Sequence, residues 1–281
     1  MEILIKDIID QGISILKEAQ VLDAENDSWL LAEHVFGITR ATFYMNPKSV
    51  IDEHQAKRFL ALIKKRSDKI PLQYITGVQE FMGFPFKVNE NVLIPRQDTE
   101  LLVEKAVEYI HMQRKTVKVL DMCTGSGCIA ISVDKLCPMA EVTGADISYK
   151  ALALARENSD KNNAEVNFIQ SDLFKNIEEK FDVIISNPPY IKTGEIDTLM
   201  EEVKDYEPII ALDGDNDGLK FYRLISKKLN FYLNDKGKIM FEIGYDQGDA
   251  VPEILNRYGL KDIKVHKDLS GHDRVVIAGK E

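Results

Sequence analysis

The sequence predicts an α/β protein: a doubly wound, mainly parallel sheet preceded by a small all-α bundle and a β-hairpin linker. From Thr99 onward, short runs rich in β-branched residues alternate with amphipathic stretches, the pattern of parallel strands joined by crossover helices. The preceding chain begins with helical periodicity and then changes to segments broken by glycine and proline. We therefore expect an N-terminal helical domain over residues 1–75, a hairpin linker over 76–97 and an α/β domain over 98–281.

Three or four short helices are predicted within residues 1–75. The apolar residues Ile5, Ile8, Ile9, Ile13 and Leu16 recur on one helical face. A second apolar stretch ends before Gly37, and a third follows Asp52 and stops at Pro71; these are helix-ending and helix-starting residues. Because no catalytic constellation is visible in this segment, we interpret it as a domain that recognises the substrate.

The linker prediction depends on residues that break regular structure. Gly77, Gly83, Pro85 and Pro95 punctuate short apolar stretches such as Phe84–Val88. Two short strands joined by a glycine turn are typical of a hairpin.

The α/β domain is predicted element by element from its periodicity. Ser148 stands where it would cap a helix N-terminus. The predicted strands are Val117–Met122, Glu141–Ala145, Val166–Ile169, Phe181–Ser186, Lys238–Ile243, Leu260–Val265 and Arg274–Ala278. The predicted helices are Cys128–Leu136, Tyr149–Ser159, one around Gly218–Asn230 and one around Ala250–Arg257.

The composition is that of an ordinary soluble protein, with 44% hydrophobic and 29% charged residues. No signal-peptide pattern and no apolar run long enough for a membrane span is present, so we expect a cytoplasmic location without membrane association. Three cysteines without a C-x-x-C spacing and scattered histidines indicate neither disulfides nor a metal site.

The charge disfavours a nucleic-acid substrate. The net charge is −10, and most of it falls in the α/β domain. The basic triplet Lys64–Arg66 is adequately explained as a solvated helix end.

A glycine turn follows the first predicted strand of the α/β domain. Cys123, Thr124, Gly125, Ser126 and Gly127 connect that strand to a helix start, where backbone N–H groups can approach a ligand closely. The turn fits the G-x-G-x-x-A dinucleotide fingerprint. From these residues alone, an NAD-dependent dehydrogenase, another nucleoside-containing cofactor and a purely structural turn all remain open.

Two further strands end in residues suited to the same cofactor. Asp146, with Ile147 beside it, comes about 20 residues after the glycine turn, where an acidic residue binds ribose hydroxyls. Asp172 and Leu173 follow the third strand, where a carboxylate can accept from an adenine amine and an apolar side chain can cover the ring.

The tetrapeptide Asn187-Pro188-Pro189-Tyr190 follows a buried strand, where open α/β sheets place their ligands. The two prolines stiffen the turn and leave carbonyl acceptors, one amide and one aromatic ring. Such a set can hold a planar N–H₂ group by its hydrogens and stack on its plane. A strand-ending turn of ordinary Asn-Pro chemistry is the alternative.

The order D-x-x-T-G-S-G, acidic residue, S-D-L and N-P-P-Y resembles that of class I S-adenosylmethionine-dependent methyltransferases that alkylate planar nitrogens. The segments Glu80–Val88 and Val92–Glu104 are similar to the linker signature of the PrmC/HemK family, which methylates a glutamine of peptide chain release factors on N5. Further matches are Ala211–Leu219, Glu242-Ile243-Gly244 with Gln247-Gly248, and Asp273–Val276. Gln97 and Cys123 depart from the family pattern, and neither change removes a side-chain ligand.

The resemblance implies a class I methyltransferase fold with an antiparallel strand, S-adenosylmethionine as methyl donor and S-adenosylhomocysteine as product. It implies class 1 release factors as protein partners, with the glutamine of their Gly-Gly-Gln motif as acceptor. Asn187 and Pro188 would accept the two N–H bonds of that amide, Pro189 would stiffen the turn, and Tyr190 would pack on the amide plane.

Other readings remain open for the chain and for one of its residues. The same tetrapeptide could grip the amine of adenine in DNA or of guanine in rRNA, and a methyltransferase fold could survive only as a docking module. Arg96 could orient the cofactor, clamp the linker onto the α/β domain or form a structural salt bridge.

Overall fold

A computed structural model of the chain describes residues 3–281. Contacts divide the chain into two compact units. The first, here called the helical unit, runs up to Gly77 and also contains Met200–Tyr206. The second, the sheet unit, comprises Val78–Leu199 and Glu207–Glu281, so the predicted linker hairpin packs as part of it.

The helical unit is built around one apolar core. Its largest fully buried side chains are Phe59, Leu16, Leu31, Ile9 and Ile63. The helices are α1 (Ile5–Glu18), α2 (Ala24–Phe36), α3 (Arg40–Met45), α4 (Glu53–Ser67) and α5 (Leu72–Thr76).

The expectation that this segment is entirely helical is wrong at two places. The two-residue strands β1 (Ile3–Leu4) and β2 (Val50–Ile51) pair antiparallel, with Ile3 opposite Ile51. β-branched residues favour such pairing. Strands this short show no alternation that a sequence pattern could reveal.

A second correction concerns Arg66. The side chain is buried instead of solvated: its Nε lies 2.7 Å from Asp27 Oδ2 and its Nη2 2.6 Å from Glu202 Oε2. Glu202 belongs to the short helix α9 (Glu201–Lys204), and Tyr206 of the same segment donates its hydroxyl to the Asp68 carbonyl at 2.7 Å. Through these contacts Met200–Tyr206 packs within the helical unit, although it is far from the rest of that unit in sequence.

The sheet unit begins with a two-stranded hairpin, of whose three phenylalanines Phe81 and Phe86 are fully buried in the sheet unit's core and Phe84 is partly buried against it. The hairpin consists of β3 (Val78–Phe81) and β4 (Phe84–Lys87). The strands that follow are β5 (Val117–Met122), β6 (Ala140–Asp146), β7 (Asn167–Gln170), β8 (Phe181–Ser186), β9 (Leu233–Glu242), β10 (Lys261–Lys267) and β11 (Asp273–Gly279).

These last strands form one seven-stranded sheet in the order β10-β11-β9-β8-β5-β6-β7. The neighbouring pairs from β9 to β7 are parallel, and β11 runs antiparallel to both β9 and β10. The sheet is therefore mainly parallel with one antiparallel strand, as predicted. The carboxyl ends of β5, β6, β7, β8 and β9 meet at one edge.

Helices cover both faces of the sheet and enclose an apolar core on each. Leu120 and Ile184 point into one core, and their strand neighbours Val119 and Ile185 into the other, as the two-residue period of strands requires. The covering helices are α6 (Glu100–His111), α7 (Cys128–Leu136), α8 (Tyr149–Asn162), α10 (Lys220–Ser226), α11 (Leu229–Tyr232) and α12 (Ala250–Arg257). Short 3₁₀ helices span Gln97–Thr99, Thr193–Thr198 and Ile209–Ala211.

The predicted helix around Gly218–Asn230 is divided in the structure. α10 and α11 occupy that region, and β9 begins at Leu233, earlier than the predicted Lys238. The pairing is irregular at this start: Leu233 pairs with Phe181 and Lys238 with Val183, and regular pairing continues from the predicted first residue, Lys238. No helix in residues 3–281 has the length and apolar character needed to cross a bilayer.

Gly12 of α1 lies where side chains of α2 and α4 pack against the helix. A Cβ built there would lie 2.8 Å from Ser28 Oγ, 2.9 Å from Phe59 Cζ and 3.0 Å from Ile63 Cδ1. Phe59 and Ile63 are fully buried and cannot retreat freely.

We predict that Gly12→Ala destabilises the protein by about 1–2 kcal/mol, because overpacking outweighs the better helix propensity of alanine. Urea unfolding followed by circular dichroism measures the change. Gln11→Ala, at an exposed position of the same helix, is the control and should leave stability unchanged or slightly raised. A stabilised Gly12→Ala variant would contradict the packing described for α1.

Candidate active site

A cavity opens at the carboxyl edge of the parallel strands, entirely within the sheet unit. Its walls come from the turns after β5, β6, β7 and β8, from the segment after the hairpin and from the chain following Glu207. The lining residues that carry its chemistry are Cys123, Gly125, Asp146, Ile147, Asp172, Leu173, Asn187 and Pro189. Eight residues predicted for the site thus lie around one cavity.

The glycine turn forms the floor between β5 and α7. Gly127 precedes α7 with φ +80°, a left-handed conformation that favours glycine. A Cβ there would also lie 3.1 Å from Ala155 Cβ and 3.1 Å from Ile131 Cδ1. Gly125 faces open space instead, so its backbone is accessible to a ligand. Thr124, Ser126 and Gly127 shape this turn without lining the cavity.

Asp121, at the end of β5, fastens the turn from below. It is fully buried, and its Oδ2 accepts from the Thr124 hydroxyl and from the Ala130 backbone N–H at 3.1 Å. Burial raises the pKa of Asp121 to about 7. One buried carboxyl thereby joins the strand, the turn and the start of α7.

Asp146 stands at the end of β6 beside the glycine turn. Its Oδ2 accepts from the Gly125 N–H at 2.9 Å, and its Oδ1 accepts from the Ser148 N–H at 2.8 Å. Ser148 in turn caps α8, as predicted, by accepting from the Ala151 N–H. Each Asp146 oxygen retains a lone pair for a hydroxyl donor. Burial raises the pKa of Asp146.

Asp172 and Leu173 form the wall contributed by the turn after β7. Ser171 holds this turn, because its hydroxyl donates to the Leu173 carbonyl at 2.5 Å and accepts from the Asn176 N–H at 2.9 Å. Asp172 is exposed at the cavity and Leu173 is half-buried. A carboxylate beside an apolar side chain fits a polar-edged aromatic ring.

Asn187 lines the cavity at the end of β8, whereas the neighbouring Pro188 is buried and does not line it. The Asn187 carboxamide donates through Nδ2 to Thr99 Oγ1 at 3.2 Å. Its Oδ1 and the Pro188 carbonyl accept no hydrogen bond from residues 3–281. Asn187 Oδ1 is therefore an acceptor that the cavity wall can offer to a ligand at the end of β8.

Tyr190 is placed differently from its neighbours. It does not line the cavity; its ring packs against an apolar core, and its hydroxyl donates to Glu242 Oε1 at 3.3 Å. Its carbonyl accepts from Gln247 Nε2 at 3.1 Å. Burial raises the pKa of Tyr190 far above its ordinary value. The stacking role of Tyr190 stays a prediction.

Thr99 and Glu242 also contribute to the site, although the sequence assigned neither of them a role. Glu242, the last residue of β9, is buried; desolvation raises its pKa to about 7, opposed by the Thr99 and Tyr190 hydroxyls and the Arg274 charge. Arg274 also pairs with Asp98 at 3.1 Å. Only the family resemblance marked these positions, because no local pattern joins them.

The segment Ala211–Leu219, another part of the resemblance, packs on the backbone after the tetrapeptide. The Ile191 N–H donates to the Leu212 carbonyl at 3.0 Å, and the Gly214 N–H donates to the Ile191 carbonyl at 2.8 Å. These bonds hold the end of the tetrapeptide from outside the cavity.

Arg96 forms an ion pair with the buried carboxylate of Glu207. Glu207 precedes Pro208, Ile210 and Ala211, which line the cavity. The ion pair fits two of the three roles left open for Arg96, the clamp on the linker and the structural salt bridge, and a role in orienting the cofactor stays a prediction.

A doubly wound sheet with this glycine turn and these strand-end acids defines a class I S-adenosylmethionine-dependent methyltransferase. The "Methyltransferase small domain" family model matches residues 97–204, and the "PrmC N-terminal domain" model matches residues 7–77. The chain belongs to the release factor glutamine methyltransferase family.

Two relatives establish this membership, and each of them aligns with this chain over nearly its full length. The release factor glutamine methyltransferase of Clostridium botulinum is 42% identical over 99% of both chains, and that of Clostridium acetobutylicum is 43% identical over 98% of both. A methyltransferase structure from Pyrococcus furiosus shares the fold, with a TM-score of 0.53 at 20% identity over 71% of this chain and 90% of that one.

We predict that Asp146→Ala raises the dissociation constant for S-adenosylmethionine about tenfold to a hundredfold, since a charge-assisted hydrogen bond to the cofactor is lost. Isothermal titration calorimetry measures it. Asp160→Ala, at an exposed position in α8, is the control. Unchanged affinity in Asp146→Ala would exclude the carboxylate from the cofactor site.

Proposed function

We propose that this protein transfers a methyl group from S-adenosylmethionine to the side-chain amide nitrogen of the Gly-Gly-Gln glutamine in class 1 release factors, in the cytoplasm. One observation carries the proposal: the cofactor-type turns after β5, β6 and β7 share a cavity with Asn187, whose Oδ1 has no partner among residues 3–281. The curated relatives, named as release factor glutamine methyltransferases, support the choice of acceptor.

The residues present suit the cofactor. Asp146 offers carboxylate oxygens to ribose hydroxyls, Asp172 offers an acceptor to the adenine amine, and Leu173 and Ile147 offer apolar surface to the ring. Cys123 and Gly125 bring their backbone to the cavity, supported by Thr124, Ser126 and Gly127. When bound, S-adenosylmethionine supplies an electrophilic methyl group on its sulfonium sulfur.

The acceptor amide presents a chemical difficulty, because its nitrogen lone pair is delocalised into the carbonyl. Asn187 Oδ1 and the Pro188 carbonyl each accept one of its N–H bonds, which fixes the nitrogen and directs its lone pair toward the cofactor side of the cavity. Pro189 holds the turn rigid, and Tyr190 is proposed to cover the amide plane. Positioning and preorganised dipoles then supply most of the rate enhancement.

No general base is required by this scheme. Methylation leaves a positively charged amide nitrogen, which is strongly acidic and loses its proton to a carbonyl or to water. The site therefore needs acceptors and rigidity more than a titrating side chain. The proposed recognition role of the helical unit is consistent with its match to a separate family model.

We predict that Asn187→Ala lowers methyl transfer to release factor about a hundredfold or more, while the affinity for S-adenosylmethionine changes little, because the lost acceptor serves the substrate amide. Filter binding with labelled S-adenosylmethionine measures transfer, and calorimetry measures affinity. Asn256→Ala, exposed on α12, is the control.

Release factor, duplex DNA and rRNA are offered to the wild-type enzyme in parallel. Label in release factor alone supports the proposed acceptor, whereas label in either nucleic acid alone refutes it. Near wild-type turnover in Asn187→Ala would refute the role of Asn187 even if release factor is the acceptor.

A further inference from the structure

The first and last residues of the tetrapeptide, Asn187 and Tyr190, both lie near the buried carboxyl of Glu242, which does not line the cavity. Glu242 Oε1 accepts the Tyr190 hydroxyl at 3.3 Å. Glu242 Oε2 is also buried and has no hydrogen-bond partner of standard geometry among residues 3–281. The strand register places Glu242 beside Asn187, and Asn187 is hydrogen-bonded to the Thr99 hydroxyl at 3.2 Å, so this hydroxyl lies in the same neighbourhood. An isolated buried carboxyl oxygen is costly, so this placement calls for an explanation.

The hydrogen bond from Asn187 to Thr99 supplies it. Asn187 Nδ2 donates to Thr99 Oγ1, so a lone pair of this hydroxyl is occupied and its proton is available for another acceptor. Thr99 is 3% exposed, which leaves little opportunity for water to take that proton. The neighbouring acceptor is Glu242.

We propose that Thr99 and Glu242 are positioning residues that fix the direction of the Asn187 carboxamide, with Thr99 accepting from Nδ2 and donating to Glu242. An Asn side chain can be turned over so that its nitrogen and oxygen exchange places. With Nδ2 held by Thr99, Oδ1 must face the cavity, where it accepts from the substrate amide. If the carboxamide were reversed, Nδ2 would face the cavity, and this donor would meet the N–H donors of the substrate amide.

The surroundings hold both positioning residues in place. Glu242 follows Phe241, which pairs with Ser186 of β8, so the register puts Glu242 next to Asn187. Thr99 ends the 3₁₀ turn whose Asp98 pairs with Arg274 of β11 at 3.1 Å. The backbone carbonyl of Glu242 accepts the Tyr222 hydroxyl at 2.9 Å.

The inference rests on the proposed role of Asn187 in glutamine methylation, and two substitutions of Thr99 separate chemistry from packing. Thr99→Val keeps the buried volume and removes the hydroxyl, whereas Thr99→Ser keeps the hydroxyl and removes a methyl group. We expect Thr99→Val to lower kcat about tenfold to a hundredfold, with the dissociation constant for S-adenosylmethionine within about twofold of wild type. Thr99→Ser should retain most of kcat, although the loss of a buried methyl group makes it less stable than the wild-type protein. Thr116→Val, at an exposed threonine before β5, is the control.

A double-mutant cycle with Glu242→Gln tests the relay itself. Glutamine keeps the shape but cannot accept through both terminal atoms. The pair Thr99→Val/Glu242→Gln should be no slower than the slower single variant by more than about twofold, because both changes release the same carboxamide. Additive losses would overturn the relay. A Thr99→Val enzyme at the wild-type rate, or Thr99→Ser falling as far as Thr99→Val, would overturn the positioning role.

A spectroscopic measurement tests the contact between Thr99 and Asn187 independently of methylation activity. In protein labelled with ¹⁵N-asparagine, the side-chain N–H₂ signal of Asn187 is identified by its loss in Asn187→Ala. It should shift in Thr99→Val and stay near the wild-type position in Thr99→Ser, without cofactor or release factor present. An unshifted signal in Thr99→Val refutes the inference. Absence of methylation by the wild-type enzyme would refute the proposed function and leave this comparison valid.

Discussion

The parallel register of β5, β8 and β9 is the constraint on which the site depends. Met122 pairs with Ser186, and Ser186 pairs with Phe241. The next residue along each strand is therefore Cys123, Asn187 or Glu242, and neighbouring strands are about 4.8 Å apart. The backbone hydrogen bonds of the sheet thus bring the glycine turn, the Asn187 carboxamide and the buried Glu242 carboxyl side by side. A register slip of one residue would turn these side chains to the opposite face.

Two buried carboxyls at this edge, Asp121 and Glu242, accept hydrogen bonds from different parts of the site. Asp121 joins the glycine turn to β5 and α7, and Glu242 accepts a hydrogen bond from Tyr190 of the tetrapeptide. Burial raises the pKa of each to about 7, so keeping either ionised in the folded protein costs free energy. Strongly shifted carboxyls concentrate at functional sites, and here the cost is spent on holding backbone and amide groups in fixed directions.

The sequence was most informative where structure and chemistry are local. Val117–Met122, Cys128–Leu136, Phe181–Ser186 and Ala250–Arg257 have the bounds predicted, because continuous apolar or amphipathic runs are bordered by turn residues. The mainly parallel order also follows from the alternation of elements. What could not be predicted are pairings between distant segments: Thr99 with Asn187, and Glu242 with Tyr190. Arg66 was misjudged for the same reason, since its acidic partners are remote in sequence and its neighbours Lys64 and Lys65 are exposed.

The short passage of Met200–Tyr206 through the helical unit has a consequence for dissecting this protein. The chain leaves the helical unit at Gly77, returns to it after the 3₁₀ helix Thr193–Thr198 and leaves again just before Glu207. Cutting the chain after Gly77 would therefore not separate two self-contained parts, because the catalytic fragment would carry α9 without the Arg66 that neutralises it. Pro208, the first residue of the adjoining cavity wall, would then be tethered to an unsupported segment. Such a fragment lacks the Arg66–Glu202 ion pair as well as the rest of the helical unit, so a change in its activity has two possible origins.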